Sequence, residues 1–163
     1  MQIVLFEPEI PPNTGNVARL SAASRLPLHL IEPLGFRIED RYLKRAGLDY
    51  WPQVQLKVWP DFSAFLSKHE SLQCASPPRL IAASARQGTA VHRFAFRPDD
   101  ILVFGPETRG LPAEILEEMQ AVVRIPIRGE VRSLNLSTAV GIVVYQALAA
   151  SGELDRWAMD GEV

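Results

Sequence analysis

The 163-residue sequence has a single cysteine, only three histidines and no long hydrophobic run. Cys74 by itself can form neither an intrachain disulfide nor a cysteine metal cluster. His29, His69 and His92 show no i, i+4 pairing and no carboxylate at metal-ligand spacing, so each reads as a surface or satisfied core histidine. The most apolar stretch, Ala139 to Ala150, is interrupted by Gln146 and is too short to span a bilayer. A strand pattern opens the chain without a basic segment and apolar stretch before it, so a cytoplasmic protein is the economical expectation. The glycosylation triplet Asn135-Leu136-Ser137 then carries no meaning. Net positive charge is also lacking: 17 Lys and Arg stand against 19 Asp and Glu, for a net charge of -2. Affinity for nucleic acid rests largely on cations meeting phosphate, so the totals neither support nor exclude such a partner. A local patch stays open in the first third, around "RIEDRYLKR" (37–45).

The familiar nucleotide and hydrolase signatures are missing as well. "GPETRGLP" (105–112) has the glycine spacing of a Walker A loop, but Leu111-Pro112 stand where lysine and a hydroxyl should meet phosphate and magnesium. No G-x-G-x-x-G and no G-x-S-x-G occurs. Glu7 and Glu9, flanking Pro8, give no particular reason to choose paired-carboxylate chemistry.

What is present is a series of short apolar runs: 3–6, 28–31, 54–59, 80–83, 101–104 and 122–127. Several are continuous rather than alternating, as in strands covered on both faces. Helical patterns lie between them at 14–24, 40–47, 61–69, 112–119 and 137–151. Asp61 stands as a plausible N-cap and Pro112 in a first turn. The alternation predicts one α/β domain over 1–163, a mainly parallel sheet flanked by helices, with 152–163 as a loosely ordered tail. Ligands of such sheets bind beyond the carboxyl ends of the strands.

Three loops at those ends carry unusual residues. In "PPNTGNVAR" (11–19), Asn13 or Thr14 can cap a helix, Gly15 allows close approach, and Arg19 follows a turn later. In "FGPETRG" (104–110), Gly105 can take backbone angles closed to other residues, and Glu107 and Arg109 could form an internal ion pair. In "IPIRGEVRSLNLSTAVG" (125–141), Ser133 or Asn135 can cap the long small-residue helix. Each loop alone fits a bland structural role; three together in this order are far less expected by chance.

Together they resemble the SPOUT superfamily of RNA methyltransferases, in its branch acting on ribose 2′-hydroxyls. N-x-G-N-x-x-R is met by Asn13, Gly15, Asn16 and Arg19; F-G-x-E-x-x-G by Phe104, Gly105, Glu107 and Gly110. The third motif is met by Ile125, Pro126, Ser133, Leu134, Asn135, Leu136, Ser137 and Ala139. "IVLFEPEIPPNTGN" and "KRAGLDYW" (44–51) look like the small tRNA members that methylate the wobble ribose, of cytidine or a modified uridine, in leucine tRNAs. Other members act elsewhere, so another RNA position, or a non-catalytic adenosyl-ligand or RNA-binding protein of this fold, stays open.

The resemblance implies an α/β knot, with a C-terminal trefoil, and S-adenosylmethionine as cofactor near Ser84, Gly105, Ile125, Ser133 and Leu134. It implies Arg19, Glu107 and Asn135 as catalytic, with Asn13, Asn16, Arg19, Arg41, Lys44 and Arg45 toward RNA. Arg19 is the family's proposed proton acceptor. A guanidinium is ordinarily always charged, so it suits equally a grip on phosphate and on a developing alkoxide. Glu107 would orient Arg19 or take a proton, and Asn135 would fix the ribose or Glu107. A homodimer packed through the first and last helices would join Arg19 of one subunit to the knot of the other. The anticodon stem-loop is the implied partner. Methyl transfer from a sulfonium requires no metal, and neither metal nor membrane is expected.

Overall fold

The computed structural model describes residues 1–38, 50–70 and 77–159. In chain order these form β1 (Gln2–Phe6), α1 (Pro11–Ser24), β2 (Leu28–Ile31), β3 (Leu56–Trp59), α2 (Phe62–Glu70), β4 (Leu80–Ala83) and β5 (Thr89–Ala90). There follow β6 (Ile101–Phe104), α3 (Ala113–Glu117), β7 (Ala121–Arg124), α4 (Leu136–Ala150) and α5 (Glu153–Met159). The strands make one sheet in the order β3-β2-β1-β6-β4-β7-β5, with every pairing parallel. The basic helical pattern at 40–47, and with it Arg41, Lys44 and Arg45, lies outside the described residues.

Successive strand residues point to opposite faces, and here both faces are covered. Ile3, Leu5, Leu28, Leu30, Leu102 and Phe104 pack with Val17 and Ala18 of α1 and Val140, Val143, Val144 and Ala147 of α4. Val4, Phe6, Ile31, Ile101 and Val103 meet Phe62 and Phe65 of α2 on the other face. That is why "IVLF" and "ILVF" are unbroken apolar runs, and "LHLI" is interrupted only by His29, itself buried. Burying one such side chain contributes roughly 1.5–3 kcal/mol, so the two layers hold α1 and α4 on one face of the sheet and α2 on the other.

The amino end of β6 is tied by charge. Asp100 is fully buried and accepts both Nε–H and Nη2–H of Arg79 at 2.8 Å, and the Arg97 amide at 2.8 Å. The hydrogen bond to Asp100 holds the Arg79 guanidinium above its ordinary pKa. Breaking a buried, hydrogen-bonded pair strands the remaining groups. Asp100→Ala is therefore expected to cost about 2–3 kcal/mol and to lower the melting temperature by roughly 5–10 °C in a circular-dichroism melt.

Several sequence expectations are corrected. The run 122–127 is a strand only to Arg124, because Pro126 has no N–H for a ladder and the chain turns off to line a cavity. The first helix starts at Pro11, with proline in its first turn, so Asn13 and Thr14 sit inside it and cap nothing. Pro112 is itself the N-cap of α3. The tail is not loose over 153–159: α5 forms there, and Leu154 and Trp157, one turn apart, pack against the main core. Asp61 does act as expected, accepting the Ala64 amide at 2.7 Å. No helix among the described residues is long and apolar enough to cross a membrane.

Candidate active site

The chain turns after β1, β4, β6 and β7 converge beyond the carboxyl ends of those strands around an open cavity of 750 Å³. Ser84, Gly105, Ile125, Ser133 and Leu134 all line it, as do Asn13, Glu107 and Asn135. Its floor is apolar, with Leu116, Val123 and Val143. Ser84 continues the β4 direction, donating its amide to Val123 O at 2.9 Å, while its hydroxyl accepts the amides of Arg86 and Gln87.

Gly105 is needed for space rather than for an unusual backbone angle. A Cβ there would stand 2.4 Å from Leu111 N and 2.5 Å from Gly110 C, because the loop folds back on itself. The left-handed residue of this loop is instead Gly110, with φ 73°.

Glu107 does not meet Arg109. Its Oε2 accepts the Glu9 amide at 2.9 Å, and its Oε1 accepts the Ile10 amide at 3.3 Å and Asn13 Nδ2–H at 2.9 Å. Asn13 Oδ1 in turn accepts Asn135 Nδ2–H at 2.8 Å. Asn135 Oδ1 caps α4, accepting the Ser137 amide at 3.0 Å and the Ser137 hydroxyl at 2.8 Å. A carboxylate and two carboxamides thus join all three motif loops in one chain of hydrogen bonds. Asn135 is both helix cap and bridge. With both Glu107 oxygens accepting donors, this side chain is built to hold the loops in register.

Arg109 reaches the other way, pairing with Glu7 and with Glu9 at 3.7 Å. Glu9 also accepts the Thr108 amide at 3.1 Å and hydroxyl at 2.9 Å. Glu7, at the end of β1, has φ 46°, a left-handed conformation that turns the chain out of the sheet toward this contact. The pairing of Arg109 with Glu7 and Glu9 was not foreseen. Two glutamates around Pro8 and the stretch Glu107-Thr108-Arg109 offered complementary charge, but nothing in sequence said that they meet.

Arg19 stands apart from the cavity. It is exposed on α1, with its guanidinium carbon 4.9 Å from the centre of the Tyr50 ring. Tyr50 donates its hydroxyl to Gly15 O at 3.1 Å, so the ring lies along α1 between Gly15 and Arg19. Within this chain Glu107 therefore does not orient Arg19; Tyr50 does, a residue the motif reading passed over. Asn16 is exposed on α1 and donates to the Ser137 hydroxyl at 3.5 Å.

The convergence of these three loops is matched by wider similarity, since the model of the SpoU rRNA methylase family fits residues 1–145. The chain belongs to that family. It is 50% identical over 149 residues to the tRNA (cytidine(34)-2'-O)-methyltransferase of Yersinia pestis, covering 90% of this chain and 91% of the relative. The Escherichia coli K12 protein of the same name is 46% identical, with the same coverage. A structure solved in work on the 2-OH methylation of C/U34 on tRNA superposes with a TM-score of 0.84 at 48% identity, over 91% of this chain and 94% of that one. The SpoU methyltransferase AviRb of Streptomyces viridochromogenes, solved with AdoMet, shares the fold at a TM-score of 0.83 and 22% identity, over 91% of this chain and 57% of its own.

Proposed function

We propose that this protein is an S-adenosylmethionine-dependent tRNA methyltransferase acting on the ribose 2′-hydroxyl of nucleotide 34, cytidine or a modified uridine, in leucine tRNAs. The observation that carries the reading is the meeting of all three motif loops on one cavity, in a chain half identical to a cytidine(34) 2'-O-methyltransferase. The cavity fits the cofactor: its 750 Å³ lies within the ~300–1,000 Å³ of small-ligand sites, with an apolar floor for a base and polar groups at its edge. Ser84, Gly105, Ile125, Ser133 and Leu134 would hold it. When bound, S-adenosylmethionine supplies a methyl group on a sulfonium.

The chain's own task is to hold the ribose oxygen in attacking geometry and to help its proton leave. Glu107, committed to Glu9, Ile10 and Asn13, keeps the cavity loops in register. Asn135, its Oδ1 taken by the α4 cap, keeps one Nδ2–H beyond its bond to Asn13, and that N–H is the one proposed for the ribose. Arg19 supplies positive charge to the adjacent phosphate and the developing alkoxide. Because Arg19 lies outside its own chain's cavity, the reading calls for a homodimer in which it serves the partner's cavity. Ile142 and Tyr145, large apolar side chains left exposed on α4, and Ile10 before α1 support that packing. Asn13, Asn16, Arg41, Lys44 and Arg45 complete the proposed RNA contacts around the anticodon stem-loop. The kinship with knotted methyltransferases supports a C-terminal trefoil, and the tRNA substrate supports a cytoplasmic setting.

The test is methylation of unfractionated tRNA with labelled S-adenosylmethionine, followed by nuclease mapping. Label on ribose 34 of leucine tRNAs is expected. Label on another nucleotide would overturn the positional assignment, and cofactor binding without any RNA methylation would overturn the activity.

A further inference from the structure

The charges at the cavity are unevenly spread: its carboxylates are gathered on the turn after β1 and the loop after β6, while two of its guanidiniums stand on other segments. Glu107 is spent on amide donors, and Arg109 is neutralised by Glu7 and Glu9. Two other guanidiniums line the same cavity from separate segments: Arg86 on the turn between β4 and β5, and Arg132 on the segment between β7 and α4. Both are exposed, and neither side chain has a hydrogen bond or ion pair among the described residues. Arg124 adds a third cation against the same turn, donating its Nε–H to Gly88 O at 3.2 Å. The turn 84–90 contains no acid, and 125–135 contains only Glu130 against Arg128 and Arg132. In a chain of net charge -2, this local excess of cation is where a polyanion would settle.

We infer that Arg86 and Arg132 form a clamp at the cavity rim that grips the phosphate backbone of the RNA strand whose ribose enters the site. The inference rests on the RNA-methylating reading above and adds contacts from the turn between β4 and β5 and from the segment before α4. A guanidinium pairs phosphate oxygens in a planar fork, and two such groups on separate loops fix the strand's direction across the cavity as well as its affinity. Glu7, Glu9 and Glu107 are taken up by Arg109, Thr108 and amide donors, so Arg86 and Arg132 are left for phosphate.

The experiment compares binding of a leucine tRNA transcript to wild type and to Arg86→Gln, Arg132→Gln and the double variant between about 50 and 200 mM salt. Cofactor affinity is measured on the same proteins by calorimetry. Loss of two phosphate contacts is expected to make the log–log salt slope of the double variant shallower by about 1.4–1.8. Affinity at low salt should fall by more than about tenfold, with each single variant intermediate. The double variant Arg86→Lys, Arg132→Lys keeps the charge and should keep most of the slope, which separates the clamp from a folding defect. Cofactor affinity should stay within twofold of wild type. An unchanged salt slope in the double Gln variant, or a wild type that binds no RNA, would overturn the clamp. So would a cofactor affinity weakened tenfold with the RNA slope intact, since the arginines would then meet the cofactor carboxylate. An arginine-dependent slope in a protein that leaves ribose 34 unmethylated sinks the positional assignment and leaves the clamp standing.

Discussion

Gly105→Ala is expected to raise the dissociation constant for S-adenosylmethionine by about ten- to hundredfold, the equivalent of an overpacking cost of about 1–3 kcal/mol. The added Cβ would sit 2.4 Å from Leu111 N and 2.5 Å from Gly110 C, both main-chain atoms that cannot swing aside as a side chain would. Residues 105–111 must shift as a unit, and Pro106, Thr108, Gly110 and Leu111 of that loop line the cavity. Glu107 and Thr108 tie it to Glu9, Ile10 and Asn13, so the shift is transmitted to the start of α1. Titration calorimetry reads the affinity, and a thermal melt alongside it separates a displaced loop from an unfolded chain. A cofactor affinity equal to wild type would show that this loop is not where the cofactor binds.

The second large effect belongs to Arg19→Ala, which is expected to lower the rate of methyl transfer by about 10²–10³, as for loss of one charge-stabilising group. Cofactor affinity should be unaltered, because Arg19 does not line the cavity of its own chain and its ring contact is with Tyr50. Mixing the two variants gives the sharper result. If Arg19 serves the partner's cavity, a heterodimer of Arg19→Ala and Gly105→Ala chains contains one intact site, and at a cofactor concentration well below the raised dissociation constant of Gly105→Ala, refolding the two impaired proteins together should give about a quarter of wild-type activity. If Arg19 works within its own chain, no heterodimer contains an intact site and the mixture gains nothing over the separate variants. Arg19→Lys should recover only part of the rate, since an ammonium has the charge without the planar fork.

The parts legible in the sequence were those fixed by local pattern. Continuous or nearly continuous apolar runs announced β1, β2, β4 and β6 because both faces of those strands are covered, and small, punctuated loops marked the site end of the sheet. β5 escaped notice because two residues, Thr89 and Ala90, are too few to show a period. The tail misled because Leu154 and Trp157 give only one helical repeat within a polar segment. At the site, motif resemblance named Asn13, Glu107 and Asn135, but their partners lay in tertiary space. Asn13 looked like a cap and is a bridge, since proline opens α1 two residues earlier and leaves its carboxamide free. Arg109 looked like the partner of Glu107, two residues away, and instead crosses to Glu7 and Glu9. Nearness along the chain was a poor guide wherever two loops, rather than one, shared the charge. Tyr50 was quoted within "KRAGLDYW" without a role, because only the fold lays its ring along α1.

The strand order has a kinetic side. β1 is the first strand to be made and is paired on both edges: one edge pairs β2, and the other pairs β6 through Gln2 with Ile101 and Leu5 with Phe104. During synthesis β2 and β3 can add to β1 early, yet its far edge stays open until more than half of the chain has emerged. Ile3, Val4 and Leu5 then form an unpaired hydrophobic margin on a nascent half-sheet, a template for other chains as well as for β6. Closing so long a loop before any pairing rewards it makes folding slow for a domain of this size. The site inherits that order: its first loop follows β1 and its second follows β6, so neither the Glu107 contacts nor the cavity can exist before the last central strand has slid into place.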